Sequence, residues 1–259
     1  MQLRDQVIVI TGSARGIGRA MALRFSREQP RALILVDRLA DELSQAAVEC
    51  GGEAVTADAA SQGDVQSLVA GVLERHGQID LFCSNAGILV EGGVETPAAE
   101  WDRAWEVNVK AHVYAAQTVL PHMLERGRGY LLQTVSAAGL LTSIGAAPYA
   151  VSKHAALGFA EWIAVTYGGR GIGVSCLCPA FVRTAMVDSV IGPMGAWMQE
   201  TAIGAEEVAE AAVRGLGAER FLILPHPDVA EHFQRKASDY DRWLRGMRRL
   251  QDRVMGGLP

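Results

Sequence analysis

The sequence has no apolar run of about 20 residues, so no segment is long enough to cross a bilayer as a helix. It also lacks a positive balance. Its 24 Lys and Arg stand against 29 Asp and Glu, a net charge of −5. No whole-chain field draws it to nucleic acid or to an anionic membrane, and neither is expected as a partner. Met1 to Gln6 is polar, and the apolar run from Val7 stops at a glycine loop, unlike a secretory leader. Cysteine is scarce. Cys176 and Cys178 have one residue between them and no second pair, which argues for buried free thiols rather than a metal centre. No metal is expected, and the expected compartment is the reducing cytoplasm. There is no low-complexity tract, no interdomain linker, and no repeat beyond an alternation of strands and helices. Residues 1–259 are therefore expected to form one α/β domain, and 49% apolar residues are ample for its core.

What the chain does have begins at Val7. Val7 to Ile10 is continuously apolar, as in a parallel strand buried on both faces. Apolar residues then take helical spacing at Ile17, Ala20, Met21 and Phe25. Between the two lies Thr11-Gly12-Ser13-Ala14-Arg15-Gly16-Ile17-Gly18. Strand, glycine turn and helix together make a dinucleotide site. Gly12 permits the tight turn, and Gly16 and Gly18 let the backbone approach a pyrophosphate at the helix's positive end. The second strand, Ala32 to Val36, ends at Asp37, about 20 positions beyond the loop. A carboxylate there accepts from ribose hydroxyls, or caps the next helix, and the two roles can coexist. Arg15 and Arg38 could instead clamp the 2′-phosphate of NADP. The carboxylate is weighed above them because it sits at the strand end, whereas both arginines are free to swing away. NAD is thus the expected cofactor and NADP the alternative.

Tyr149 and Lys153 stand four apart on a helix, which puts both side chains on one face, one turn apart. An ammonium beside a phenol favours phenolate, so the pair reads as a general acid/base. Ser136, thirteen residues earlier, falls at the C-terminal end of a strand, the edge where open α/β sheets bind ligands.

The glycine loop, Asn85-Ala86-Gly87, Asn108, Ser136 and the Tyr149–Lys153 pair together resemble the short-chain dehydrogenase/reductase family, from about Val7 to Thr184. The resemblance implies a Rossmann-type, doubly wound parallel sheet of about seven strands, in the order 3-2-1-4-5-6-7. It implies catalysis by Ser136, Tyr149, Lys153 and Asn108: Tyr149 exchanges the proton, Lys153 lowers the Tyr149 pKa and binds the nicotinamide ribose, Ser136 aims the substrate oxygen, and Asn108 holds a relay water where its helix kinks. Further implied cofactor contacts are Ser13, Ile17, Asp58, Ala59, Asn85, Ala86, Gly87, Pro179, Val182 and Thr184. Asp58 would meet the adenine, and Val182 and Thr184 the nicotinamide carboxamide. Ala180 departs from the family's usual Pro-Gly. The implied activity is NAD(H)-dependent interconversion of a secondary alcohol and a ketone by a homodimer or homotetramer. Alternatives are an NADP(H)-dependent carbonyl reductase and a catalytically silent dinucleotide-binding regulator.

Two stretches bear on the substrate. Met186 to Met198 carries Val187, Val190, Ile191, Met194 and Trp197, which reads either as a loop folding over an apolar, bulky substrate or as ordinary core. Residues 228–255 read as one C-terminal helix with Asp228 as N-cap and Glu231 in the capping-box position. Its apolar stripe runs through Val229, Phe233, Ala237, Tyr240, Leu244, Met247, Leu250 and Val254. Arg242, Arg245, Arg248, Arg249 and Arg253 are expected on the opposite, solvated face. Small residues Ala155, Ala156 and Ala160 on the helix after Tyr149 suit either a subunit interface or close packing within the chain.

Overall fold

A computed structural model describes residues 1–256. The strands are β1 (Val7–Thr11), β2 (Ala32–Asp37), β3 (Glu53–Thr56), β4 (Leu81–Ser84), β5 (Gly129–Thr134), β6 (Ile172–Leu177) and β7 (Leu222–Ile223). They form one parallel sheet in the order β3-β2-β1-β4-β5-β6-β7. The order reverses between β1 and β4, which leaves a crevice at their C-terminal ends.

Helices α1 (Gly16–Ser26), α2 (Ala40–Cys50), α3 (Gln62–His76), α4 (Ala98–Trp105), α5 (Ala111–Glu125), α6 (Ala137–Leu140) and α7 (Ala147–Tyr167) lie between strands. After β6 come α8 (Ala185–Asp188), α9 (Gly192–Thr201) and α10 (Ala205–Gly217); after β7 come α11 (Asp228–Ser238) and α12 (Tyr240–Met255). Alternation along the strands assigns the two layers. Ile8 and Ile10 pack with Met21, Phe25, Leu43 and Val208 of α1, α2 and α10. Val7 and Val9 point the other way, toward Leu68 and Val69 of α3, Val119 of α5 and Ala156 of α7. Side chains such as Phe25 and Phe82 are fully buried, each stabilising the fold by about 1.5–3 kcal/mol.

The end of the chain differs from expectation. The helix expected over 228–255 is two helices broken at Asp239, whose φ of −151° and ψ of 91° leave the helical region. Asp239 Oδ1 accepts from Arg242 N at 2.9 Å and so caps α12. Asp228 is the first residue of α11 rather than its cap, and Glu231 pairs with Arg235 instead of closing a capping box. The apolar stripe splits with the helix. Val229 and Val254 are buried, while Phe233, Tyr240 and Leu244 are exposed. Likewise, 186–198 is not an open loop: α8 and most of α9 lie within it, and Val187, Val190, Met194 and Met198 form a small core with Val254 of α12.

Candidate functional site

The glycine loop is tight enough to exclude side chains. Gly12 and Gly16 have φ of 66° and 57°, favoured by glycine alone. A Cβ on Gly12 would lie 2.8 Å from Ala86 Cα, and one on Gly18 would lie 2.1 Å from Gly12 O. Thr11 Oγ1 accepts from the Asn85 and Ala86 N–H groups, and Asn85 Nδ2 donates to Thr11 O and Gly12 O. The Asn85-Ala86-Gly87 turn therefore clamps the loop. At the start of α1, no side chain caps the helix and no acid stands in its first turn. Its free N–H groups and dipole end suit an anionic group. This uncapped, Cβ-free cradle fits a dinucleotide pyrophosphate.

Other expected contacts cluster around this loop. Ser13 is buried and fastens β2: its hydroxyl accepts from Val36 N at 2.8 Å and donates to Val36 O at 3.2 Å. Asp37 accepts from Ala14 N at 3.1 Å and from Leu39 N at 3.2 Å. It is not the N-cap of α2, a position Leu39 holds. Arg15 and Arg38 are exposed and form no ion pair among the described residues. Asp58, at the end of β3, accepts from Ala60 N, beside half-buried Ala59. Thr184 Cγ2 would stand 3.3 Å from a Cβ on Gly16, which brings the segment after β6 against the loop that half-buried Ile17 also lines. In that segment Pro179 O accepts from Ala137 N, and Val182 is buried. Ala180 has no positive φ, so glycine is not required there. Instead its N–H donates to His226 Nδ1 at 3.1 Å, and His226 Nε2 lies 3.0 Å from Phe181 O.

Ser136 ends the loop after β5, and Tyr149 and Lys153 rise from the first turns of α7. Lys153 is buried, donates to Thr134 O at 3.2 Å, and lies 5.7 Å from the Tyr149 ring centroid. Burial pushes its ammonium down to about 8. The Tyr149 phenol is also pushed up by burial, with the Ser136 hydroxyl opposing. Burial is thus the largest influence on the phenol, whose ring centroid stands 5.7 Å from the Lys153 ammonium.

Asn108 lies in a wide π-turn, Glu106–Lys110, joining α4 to α5. It is fully buried, donates to Ile88 O and Ser152 Oγ at 3.0 Å each, and accepts from Ile88 N at 2.9 Å. Gly87 lies between it and Lys153, where a Cβ would stand 3.3 Å from Asn108 Oδ1 and 3.4 Å from Lys153 Nζ, a close but not forbidden fit. One turn on stands His112, which sequence reasoning missed although its spacing from Asn108 places it on the same face. Its ring is buried with neither nitrogen bonded to a protein group, and burial, then the Lys153 charge, pushes it down to about 3.

Ser136 and Tyr149 open on a cavity of about 840 Å³, a volume typical of ligand sites. Met186, Met194, Trp197 and Met198 wall it on one side, with Trp197 edge-on to Phe181 at 5.0 Å. Trp243 and Leu250 of α12 wall it as well. Lys236, also missed from sequence, fixes this extension. It is buried and donates to Leu140 O at 2.8 Å and Leu141 O at 2.7 Å, in and just after the helix that follows Ser136. Its ammonium lies 5.0 Å from the Trp243 ring centre and 5.5 Å from that of Tyr240.

Known proteins resemble this chain in sequence and fold. A family model described as short chain dehydrogenase matches residues 6–193. The chain is 36% identical over 238 residues to a 1-deoxy-11-beta-hydroxypentalenate dehydrogenase of Streptomyces exfoliatus, covering 88% of this chain and 86% of that protein. Among solved structures, a short chain dehydrogenase/reductase from Burkholderia phymatum in complex with NAD superimposes with a TM-score of 0.85 at 27% identity, over 93% of this chain and 96% of that one. A 7 alpha-hydroxysteroid dehydrogenase complexed with NADH and 7-oxo glycochenodeoxycholic acid gives 0.79 at 26% identity, over 86% and 93%.

Proposed function

Because the chain belongs to the short-chain dehydrogenase/reductase family and is an oxidoreductase of that type, we propose that it interconverts a bulky, apolar secondary alcohol and its ketone using NAD(H). The observation that carries this reading is the opening of Ser136 and Tyr149, with Lys153 behind them, onto a large cavity walled by methionine and tryptophan. The names of the hydroxypentalenate and hydroxysteroid dehydrogenases support a hydroxylated substrate, and the two structures with NAD and NADH support the cofactor.

The Gly12–Gly18 loop, Asp37 and the segment from Pro179 to Thr184 would hold NAD, which would supply the hydride acceptor. The chain supplies position and proton transfer. Ser136 Oγ donates a hydrogen bond to the substrate oxygen. Tyr149 Oη takes the hydroxyl proton, or returns it in the reverse direction. Lys153, with its pKa at about 8, is mostly protonated at pH 7, so its charge favours the phenolate that forms. Asn108 holds the turn around Ile88 and a water serving Lys153. Asp37 favours NAD, since a second anion at the ribose would meet its carboxylate. The NADP reading rests on Arg15 and Arg38, both exposed and without an ion pair among the described residues.

The four cysteines are free thiols, three of them buried, which supports a reducing, cytoplasmic location. Trp162 and Val165 stand exposed on α7, which supports self-association as a dimer or tetramer. The test is Tyr149→Phe, followed by absorbance of reduced cofactor across secondary alcohols and by cofactor titration. Turnover falls by about 10²–10⁴-fold while NADH affinity stays within twofold. A loss under tenfold removes Tyr149 from the reaction.

A further inference from the structure

The inner face of α12 is not what its composition suggests. Helical spacing aligns Arg242, Trp243, Gly246, Arg249 and Leu250, and all five line the cavity that Ser136 and Tyr149 open on. Arg245, Arg248 and Arg253 do not line it. The helix thus sets two exposed arginines, a tryptophan and a gap along the same space. The gap is Gly246, where an added Cβ would meet nothing closer than Arg249 Nη2 at 3.9 Å. Glycine inside a helix costs about 1 kcal/mol relative to alanine. Here it leaves room between two arginines two helical turns apart.

The charges around this wall are unequal in their commitments. Arg235 also lines the cavity but is paired with Glu231. Asp228 lies 3.7 Å from His232 Nε2. Asp239 lines the cavity too, and its carboxylate is engaged by the backbone N–H of Arg242. Arg242 and Arg249 form no ion pair among the described residues. Two uncommitted guanidinium groups beside an apolar bed match a ligand with an apolar body and a carboxylate, which such forks bind through paired N–H donors.

We infer that the substrate is an apolar hydroxy or oxo acid, whose carboxylate is held by Arg242 and Arg249 while its reacting carbon lies at Ser136 and Tyr149. The inference rests on the proposed alcohol–ketone chemistry for that end of the cavity. It makes α12 the element that reads the substrate's charge, separate from the elements that carry the reaction.

The probes are cholate and methyl cholate, which share a ring system and secondary hydroxyls and differ in the charge. Binding to the NADH-loaded protein is followed by calorimetry, and by emission of the cavity tryptophans Trp197 and Trp243. Wild type should bind cholate at least tenfold more tightly than the ester at 50 mM salt, with the ratio shrinking at 500 mM. Arg242→Gln with Arg249→Gln should cut the acid-to-ester ratio at least fivefold. Arg245→Gln with Arg248→Gln removes the same charge from the outer face and should leave the ratio unchanged. Equal binding of acid and ester by wild type, an equal drop in both double variants, or no binding of either probe overturns the inference. Turnover of neutral secondary alcohols by wild type tests the underlying chemistry by itself, and stands or falls whatever the arginines do.

Discussion

Replacing Lys236 with methionine removes a buried ammonium while keeping most of the apolar length of the side chain. Two carbonyl oxygens lose a charged donor, Leu140 O at 2.8 Å and Leu141 O at 2.7 Å. Two aromatic rings, Trp243 and Tyr240, lose a cation. Hydrogen bonds to charged groups contribute about 1.5–3 kcal/mol each, and a cation–π contact about 0.5–2 kcal/mol. Desolvation of the ammonium offsets part of this, leaving roughly 3 kcal/mol. The loss falls on α11 and α12, which join the remainder through this lysine, through Val229 and through the small core around Val254. About 3 kcal/mol is roughly a hundredfold in the opening equilibrium. Native-state hydrogen exchange followed by mass spectrometry should therefore show amides within 229–254 exchanging about a hundredfold faster in Lys236→Met. Amides of β1, β4 and β5 should keep their wild-type rates. Exchange in 229–254 within threefold of wild type would refute the clamp.

Three further outcomes follow from the site. Wild type should prefer NAD to NADP by roughly a hundredfold in kcat/KM, from a repulsion of about 4 kcal/mol partly screened by salt; in Asp37→Ala the ratio should fall at least tenfold, and a wild-type preference for NADP refutes the assignment. His112 is pushed down to about 3 when folded and stands near 6.5 when unfolded, so the unfolded chain binds more protons between those values. Wild type should lose stability to urea as pH falls below 6.5, by up to about 1.4 kcal/mol per unit, and His112→Leu should show a shallower slope. Lys153 acts in a higher window: with about 8 folded and 10.5 unfolded, the stability of wild type relative to Lys153→Met should rise as pH increases from 8 to 10.5, and a flat difference would count against its burial as a charge.

Much of this was readable in the residues because the signals are local. Continuous apolar runs locate β1 and β2, and the glycines of the loop stand where a Cβ would collide with backbone. Order and parallel pairing of the strands agree with the family resemblance. Where the reading failed, the deciding interaction was distant in sequence. The apolar spacing of 228–255 continues through Asp239, so periodicity hid a break made by one carboxylate capping its own downstream helix. The carbonyls that bury Lys236 are about 95 residues away, and Tyr240 and Trp243 alone do not mark it as buried. The arginines of α12 are expected on one solvated face, and all five are exposed; only the fold shows that Arg242 and Arg249 also border the cavity. Asp37 stands at the strand end as its sequence position implies, but its bond to Ala14 N depends on the folded loop.

The π-turn at Glu106–Lys110 bears on changes in chain length. A π-turn holds one residue more than the α-helical turn it replaces. Deleting a single residue there would let the backbone close into regular helix, so the segment can absorb such a loss without unfolding. Because the wide turn already absorbs the extra residue, α4 and α5 would keep their mutual orientation, while residues inside 106–110 would shift by one position, about 100° around the axis. Asn108, inside the turn, would then leave the buried position it holds now, while Ala115 in α5 keeps its own. Length in this segment is thus a hidden coordinate of the site: a shortened chain would keep its helix and lose the alignment that sets Asn108 beside Ile88 and Ser152.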